Sequence, residues 1–172
     1  MRKTLPLTLS AMLVALGTAL FWMASVIEVL DLTVAAIVAV FVFFAHRELP
    51  RGYAYMIYAA TSLLSLLLLP VKFSPTVYAV FVGWYPIAKF HLDHLPRLLS
   101  WVLKLAVFNV ILVALLVASV VLFGLPNEGT VIYLITVAAG NLSFVLYDLL
   151  LNRLLILYAA RLRARVNRFL HK

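Results

Sequence analysis

Leu98-Leu-Ser-Trp-Val-Leu-Lys-Leu-Ala-Val-Phe-Asn-Val-Ile-Leu-Val-Ala-Leu-Leu-Val-Ala-Ser-Val-Val-Leu-Phe123 contains a single charged residue, Lys104. At 1.5 Å per residue this run, read as a helix, exceeds the ~30 Å of bilayer hydrocarbon. Pro96-Arg97 precedes it and Gly124-Leu-Pro126 follows it. Working outward, the chain repeats the pattern of an apolar run ended by a charged or Pro-containing break. The runs cover approximately 5–27, 29–45, 53–69, 76–90, 98–123 and 131–157, the last continuing toward Ala160. The expected fold class is an all-α integral membrane protein with six transmembrane helices in one domain.

The breaks differ in charge. Arg2 and Lys3, Arg47 and Arg51, Lys89 and Arg97, and the tail from Arg153 to Lys172 together hold twelve of the fourteen Lys and Arg residues. The intervening breaks, Glu28 to Asp31, Pro70 to Pro75 and Gly124 to Thr130, hold only Lys72. Basic residues are retained on the cytoplasmic side, so both termini are expected in the cytoplasm, and the cell membrane, as a multi-pass protein of the bacterial cytoplasmic membrane, is the expected location.

Composition agrees. A mean hydropathy of +1.13 and 66% hydrophobic residues exclude an ordinary soluble domain. The net charge of +8 sits mostly in the tail and inner breaks, where topology and anionic lipid account for it, so no nucleic-acid partner is expected. The absence of cysteine removes disulfides, thiolate nucleophiles and Cys-based metal sites. Leu5 to Ile27 is too long for a signal-peptide core and reads as a retained first helix. Helices 2 to 4 are short for spans, and Pro86 invites a kink whose freed carbonyls need partners. Leu162, Val166 and Leu170 among arginines give 158–172 the pattern of a basic amphipathic end on the inner surface.

Several residues bear chemistry. Ala11, Ala15 and Ala19 recur at i, i+4, i+8, beside Gly17 and Thr18. Small residues at that spacing allow close helix approach, either within the bundle or against another membrane subunit. Glu28, Asp31, Lys72 and Glu128 fall on the outer side, as an entrance for a polar solute or as solvated loop charges, with Asp31 able to cap helix 2. Trp22, Tyr78 and Tyr133 fit stacking groups or an interfacial aromatic belt. Lys104 and Asp148 are buried in apolar runs at similar depth from the inner surface, and an ion pair or snorkelling is expected because a lone charge there costs at least ~2.5 kcal/mol. Asn141, Asp148 and Asn152 share a face of helix 6, and Asn109 lies deeper in helix 5, as a proton relay or as a fixed intramembrane polar network. His91, Asp93 and His94 are ligand types for zinc or nickel, but the string is short and isolated, and no metal is expected. No nucleotide-binding or hydrolase motif occurs, and the Asn141-Leu-Ser143 sequon lies within a span.

Thr8-Leu-Ser-Ala-Met-Leu-Val-Ala-Leu-Gly17 resembles the first helix of S components, the substrate-capture subunits of energy-coupling factor (ECF) transporters. The resemblance implies a six-helix protein that is not an enzyme, has no cofactor, and binds a vitamin-like solute from outside. It implies docking through Ala11, Ala15 and the ladder to a transmembrane coupling subunit carrying two ATPases. By region, it implies a solute site near Glu28, Asp31, Lys72, Tyr78 and Tyr133, with Asn141 deeper. Cobalt and nickel members carry a His near the N-terminus; Met1-Arg-Lys-Thr departs from that. The competing readings are a scaffold similar to rod-shape-determining type-D proteins, and a small proton-coupled carrier using Lys104 and Asp148.

Overall fold

The computed structural model describes residues 4–26, 30–50, 52–123 and 129–158, without the side chains of 118–123. All regular structure among the described residues is helical, with no strand. The helices are α1 (Thr4–Ala24), α2 (Asp31–Glu48), α3 (Tyr53–Leu68), α4 (Phe73–Val77), α5 (Tyr85–Leu92), α6 (Arg97–Phe123) and α7 (Thr130–Leu157), with a π-helical turn, Tyr78–Val82, between α4 and α5. Thr4–Ala24, Arg97–Val117 and Thr130–Leu157 are long and apolar enough to cross a membrane. Glu28, Glu128 and residues 159–172, which include nearly all of the expected amphipathic end, lie outside the described residues.

The fourth apolar run differs from the single kinked helix expected over 76–90. It starts earlier, at Phe73, and forms three pieces. Pro86 occupies the first turn of α5, where its missing N–H removes no helical bond. Its ring excludes a regular helix back to Val82, and the chain breaks there, at Gly83 and Trp84. Gly83 N–H closes the π turn by donating to the Tyr78 carbonyl at 2.8 Å. The carbonyls around this turn have partners: Tyr58 Oη donates to Ala79, and Trp84 Nε1 donates to Val80 at 2.7 Å. A buried irregular helix requires that its freed carbonyls find partners.

The chain divides into two units. The first comprises α1 to α5 as far as His91, together with Tyr158. In it α1 packs on α3 and α2, and α2 packs on α3, α4 and the π turn. Gly17 is the contact point: a β-carbon there would lie 3.0 Å from Val38 Cγ1 and 3.2 Å from Thr61 Cγ2. Pro6, Ser10, Gly17, Phe21 and Ala24 form the buried face of α1. Helix α3 is inverted relative to a soluble helix. Ala54, Ile57, Thr61, Ser62 and Ser65 are buried, whereas Met56, Leu63, Leu67 and Leu68 are exposed. Small polar groups inside and large apolar groups outside suit a lipid surround.

The second unit, Leu92–Leu157, contains the α6–α7 hairpin. Lys104 meets Asp148, Phe108 stacks on Phe144 at 4.7 Å between ring centroids, Asn109 meets Asn141, and Leu112 lies against Gly140. The partner's number falls as the first rises, which is antiparallel packing in steady register. The seam residues recur at 104, 108 and 112 on α6 and at 148, 144 and 140 on α7, four residues apart, the spacing that keeps one face of each helix turned to the other; Asn109 and Asn141 flank that row.

Candidate functional site

Two polar centres emerge, one in each unit. The first lies where α1, α2, α3 and the α4–π segment meet, toward the Asp31 end of α2. Thr61, Ser62, Ser65, Ser74 and Tyr78 are all buried there. Ser74 Oγ donates to the Asp31 carbonyl at 2.9 Å, tying α4 to the start of α2. The Tyr78 ring packs edge-on against Phe21 at 5.2 Å and lies 6.0 Å from the ring of Tyr58. Gly83 makes room for that ring, since a β-carbon at Gly83 would come within 2.7 Å of Tyr78 Cζ. The Tyr78 hydroxyl faces Thr61, yet neither group closes a hydrogen bond of ordinary geometry. The hydroxyls of Ser62 and Ser65 are likewise buried without a hydrogen-bond partner. A buried polar group left in that state costs roughly 1–3 kcal/mol.

The second centre is charged. Lys104, in α6, lies 3.5 Å from Asp148 Oδ1 in α7 and also pairs with Asp93, at the turn before α6. Lys104 is 3% exposed, Asp148 fully buried and Asp93 38% exposed. The Lys104 ammonium lies 5.6 Å from the centre of the Trp101 ring, and Asn152 Nδ2 donates to Asp148 Oδ2 at 3.3 Å. Farther along the seam, Asn109 and Asn141 donate to each other's side-chain oxygen at 2.9 Å. Each also donates to the carbonyl four residues earlier in its own helix, Leu105 and Val137. Both protons of each amide are therefore engaged. The geometry is that of a clasp between two helices.

The described residues expected to meet a solute fall in both units. Asp31 is the first residue of α2 and is buried, and the N-cap position falls one residue earlier, at Leu30. Lys72 donates to the carbonyls of Leu66, at 2.5 Å, and Leu69. It closes the C-terminus of α3, where orphan carbonyls and the helix dipole favour a cation. Tyr78 belongs to the hydroxyl cluster of the first unit, whereas Tyr133 and Asn141 belong to the second unit, and Asn141 is bonded to Asn109. Glu28 lies outside the described residues. On α1, Ala11, Ala15 and Ala19 are exposed, whereas neighbouring Gly17 faces inward.

Sequence reasoning passed over Thr61, Ser62 and Ser65, although three hydroxyls within five residues of a Leu-rich helix were a visible signal. It read Asp93 only within the His91-to-His94 string; its relation to Lys104 depends on the turn between α5 and α6. No family model matches the chain, and no match is found among curated proteins or solved structures.

Proposed function

We propose that this protein is a six-span substrate-capture subunit similar to the S components of ECF transporters, taking a small, vitamin-like solute from the outer side of the bacterial cytoplasmic membrane. The observation that carries this reading is the cluster of buried hydroxyls on Thr61, Ser62, Ser65 and Tyr78, in which Tyr78 faces Thr61 and the Ser62 and Ser65 hydroxyls have no hydrogen-bond partner. With both termini cytoplasmic, as the basic residues suggest, the cluster falls in the outer half of the bundle. A neutral solute rich in hydrogen-bonding groups is the chemistry that matches hydroxyls. Helix α1 supports the docking half. Its Gly17 face is used within the chain, and its Ala11–Ala15–Ala19 face is left for a coupling subunit with two ATPases. The six spans combine α1, α2, α3, the α4–π–α5 segment, α6 and α7. The protein acts by binding, without catalysis or cofactor.

The proton-carrier alternative rests on Lys104 and Asp148. Their engagement with Asp93 and Asn152, and the saturated Asn109–Asn141 pair, favour closure of the hairpin over proton relay.

Two measurements test the proposal. Mass spectrometry of small molecules released from the purified protein should find one vitamin-like compound near stoichiometric amounts, and that compound should raise thermal stability on re-addition. Co-expression with an ECF coupling subunit and its ATPases should give a complex that A15L disrupts. Retention of no solute, no stabilisation by any of a panel of vitamins, and co-purification with cell-wall synthesis proteins instead would favour the scaffold.

A further inference from the structure

His91 has a neighbour that the string of His91, Asp93 and His94 does not contain. It lies in the last turn of α5, and His46 lies in the last turn of α2. Both belong to the first unit. Their ring centroids are 6.5 Å apart, and the ring planes are inclined by 54°. The Phe90 ring, 4.8 Å from that of His46 and stacked on Phe43 at 5.4 Å, is an apolar wall beside the half-buried His46 imidazole.

Both imidazoles are set up as electron-pair donors. His91 Nδ1 lies 3.1 Å from the Ile87 carbonyl oxygen. A carbonyl only accepts, so Nδ1 carries the proton and the neutral ring keeps its lone pair on Nε2. A hydrogen bond of that kind, from one ring nitrogen to a backbone carbonyl, is the usual companion of a metal-ligating histidine. Burial, and then the neighbouring His91, hold the His46 imidazole below its ordinary pKa, which favours its neutral form. The surroundings tolerate a cation. The carbonyl ends of α2 and α5 contribute about half a negative charge each, and Glu48 adds a carboxylate. Arg47 opposes them from an exposed position, 5.9 Å from the centre of the Phe90 ring, and Lys89 is buried with a partner of its own.

We infer that His46 and His91 clamp a divalent transition-metal ion of the imidazole-binding class, Zn²⁺, Ni²⁺ or Cu²⁺, between the ends of α2 and α5. Among the described residues no group of three or more His, Cys, Asp or Glu side chains gathers as ligands, so water fills the remaining positions. With metal–nitrogen bonds of about 2.0–2.1 Å, two imidazoles on one tetrahedral ion have ring centres roughly 5 Å apart. Closing the pair from 6.5 Å takes a movement of about 1–1.5 Å, which the exposed His91 side chain supplies by rotation. Because α5 follows the π turn, the ion ties the irregular fourth apolar run to α2. The inference is independent of the transport reading.

The test is isothermal titration calorimetry of the full chain, purified in neutral detergent without a histidine tag and stripped of metal, with zinc or magnesium chloride. Zn²⁺ should bind at about one equivalent and raise the thermal midpoint; Mg²⁺, which prefers oxygen ligands, should do neither. H46Q and H91Q should each lower the Zn²⁺ affinity at least about tenfold. H94Q and H171Q, which change the other histidines of the chain, should leave it unchanged. Circular dichroism verifies folding; H91Q alters an exposed side chain and serves if H46Q does not fold. Absence of Zn²⁺ binding overturns the inference, as does full affinity in H91Q. A loss in H94Q or H171Q equal to that in H91Q overturns the pairing with His46.

Discussion

Replacing Lys104 by Met tests the central energetic statement about the α6–α7 hairpin. Lys104 sits between a fully buried carboxylate, Asp148, and a partly exposed one, Asp93. Met preserves much of the side-chain volume and removes the charge beside Asp148. Removing one member of a buried ion pair costs ~3–5 kcal/mol in soluble proteins, while a charge at membrane depth costs at least ~2.5 kcal/mol by insertion scales. Because Asn152 still donates to Asp148, K104M is expected at the lower end, about 3 kcal/mol. D148N leaves Lys104 its contact with Asp93 and should cost less, about 1–2 kcal/mol. D93N removes the exposed partner, whose attraction water screens, and should cost no more than about 1 kcal/mol. The double variant K104M/D148L leaves neither charge buried in the seam, so its cost should fall well below the sum of the single changes, with a coupling of about 2 kcal/mol. Unfolding in mixed micelles at increasing SDS, followed by far-ultraviolet circular dichroism, provides these differences. The reasoning fails if D93N costs as much as K104M, or if the double variant is additive.

Three other perturbations address the first unit. Gly83→Ala places a β-carbon 2.7–2.9 Å from the rings of Tyr78 and Tyr58; overpacking of about 1–3 kcal/mol should lower the same unfolding midpoint, and an unchanged midpoint would mean that the Tyr78 ring moves freely. Tyr78→Phe keeps the contact with Phe21 and removes a buried hydroxyl that lacks a bond, so the solute-free protein should change by less than about 1 kcal/mol. Solute-induced stabilisation should drop at the same time, and a fall in both equally would point to a structural role. The folded-state pKa of His46 is lowered from 6.5, so the unfolded chain binds the proton first as pH falls. The neutral imidazole's contribution is full above pH 6.5 and is lost as pH descends from there toward the folded pKa. The thermal midpoint of wild type relative to H46Q should therefore decline across that window, and parallel curves for the two proteins would refute the assignment.

Much of the architecture was legible along the chain because long apolar helices announce themselves by length. The runs at 5–27, 98–123 and 131–157 became α1, α6 and α7 with ends close to those expected. Pro86 was legible as a disturbance, but its form was not. Whether a proline kinks a helix or starts a new one depends on the partners of the freed carbonyls, and Tyr58, which supplies one of them, comes from a different helix. Lys72 shows the same limit: a lone lysine beside Pro70 reads as a loop charge until the chain turns back and places its ammonium on the carbonyls of Leu66 and Leu69.

Composition and spacing alone establish that the chain is helical and apolar over long runs, where basic residues gather, and that Lys104 and Asp148 need help inside an apolar surround. Those properties follow from composition and spacing, which act locally through backbone hydrogen bonding and transfer from water. Only the tertiary structure decided which face of α1 is used internally, which placed Gly17 inward and left the alanine ladder exposed. It alone joined Asp93 to Lys104, paired Asn109 with Asn141, and collected the hydroxyls of α3 around Tyr78. Those arrangements depend on the rotation of each helix about its axis. A nearly uniform apolar sequence specifies that rotation weakly, and side-chain packing sets it.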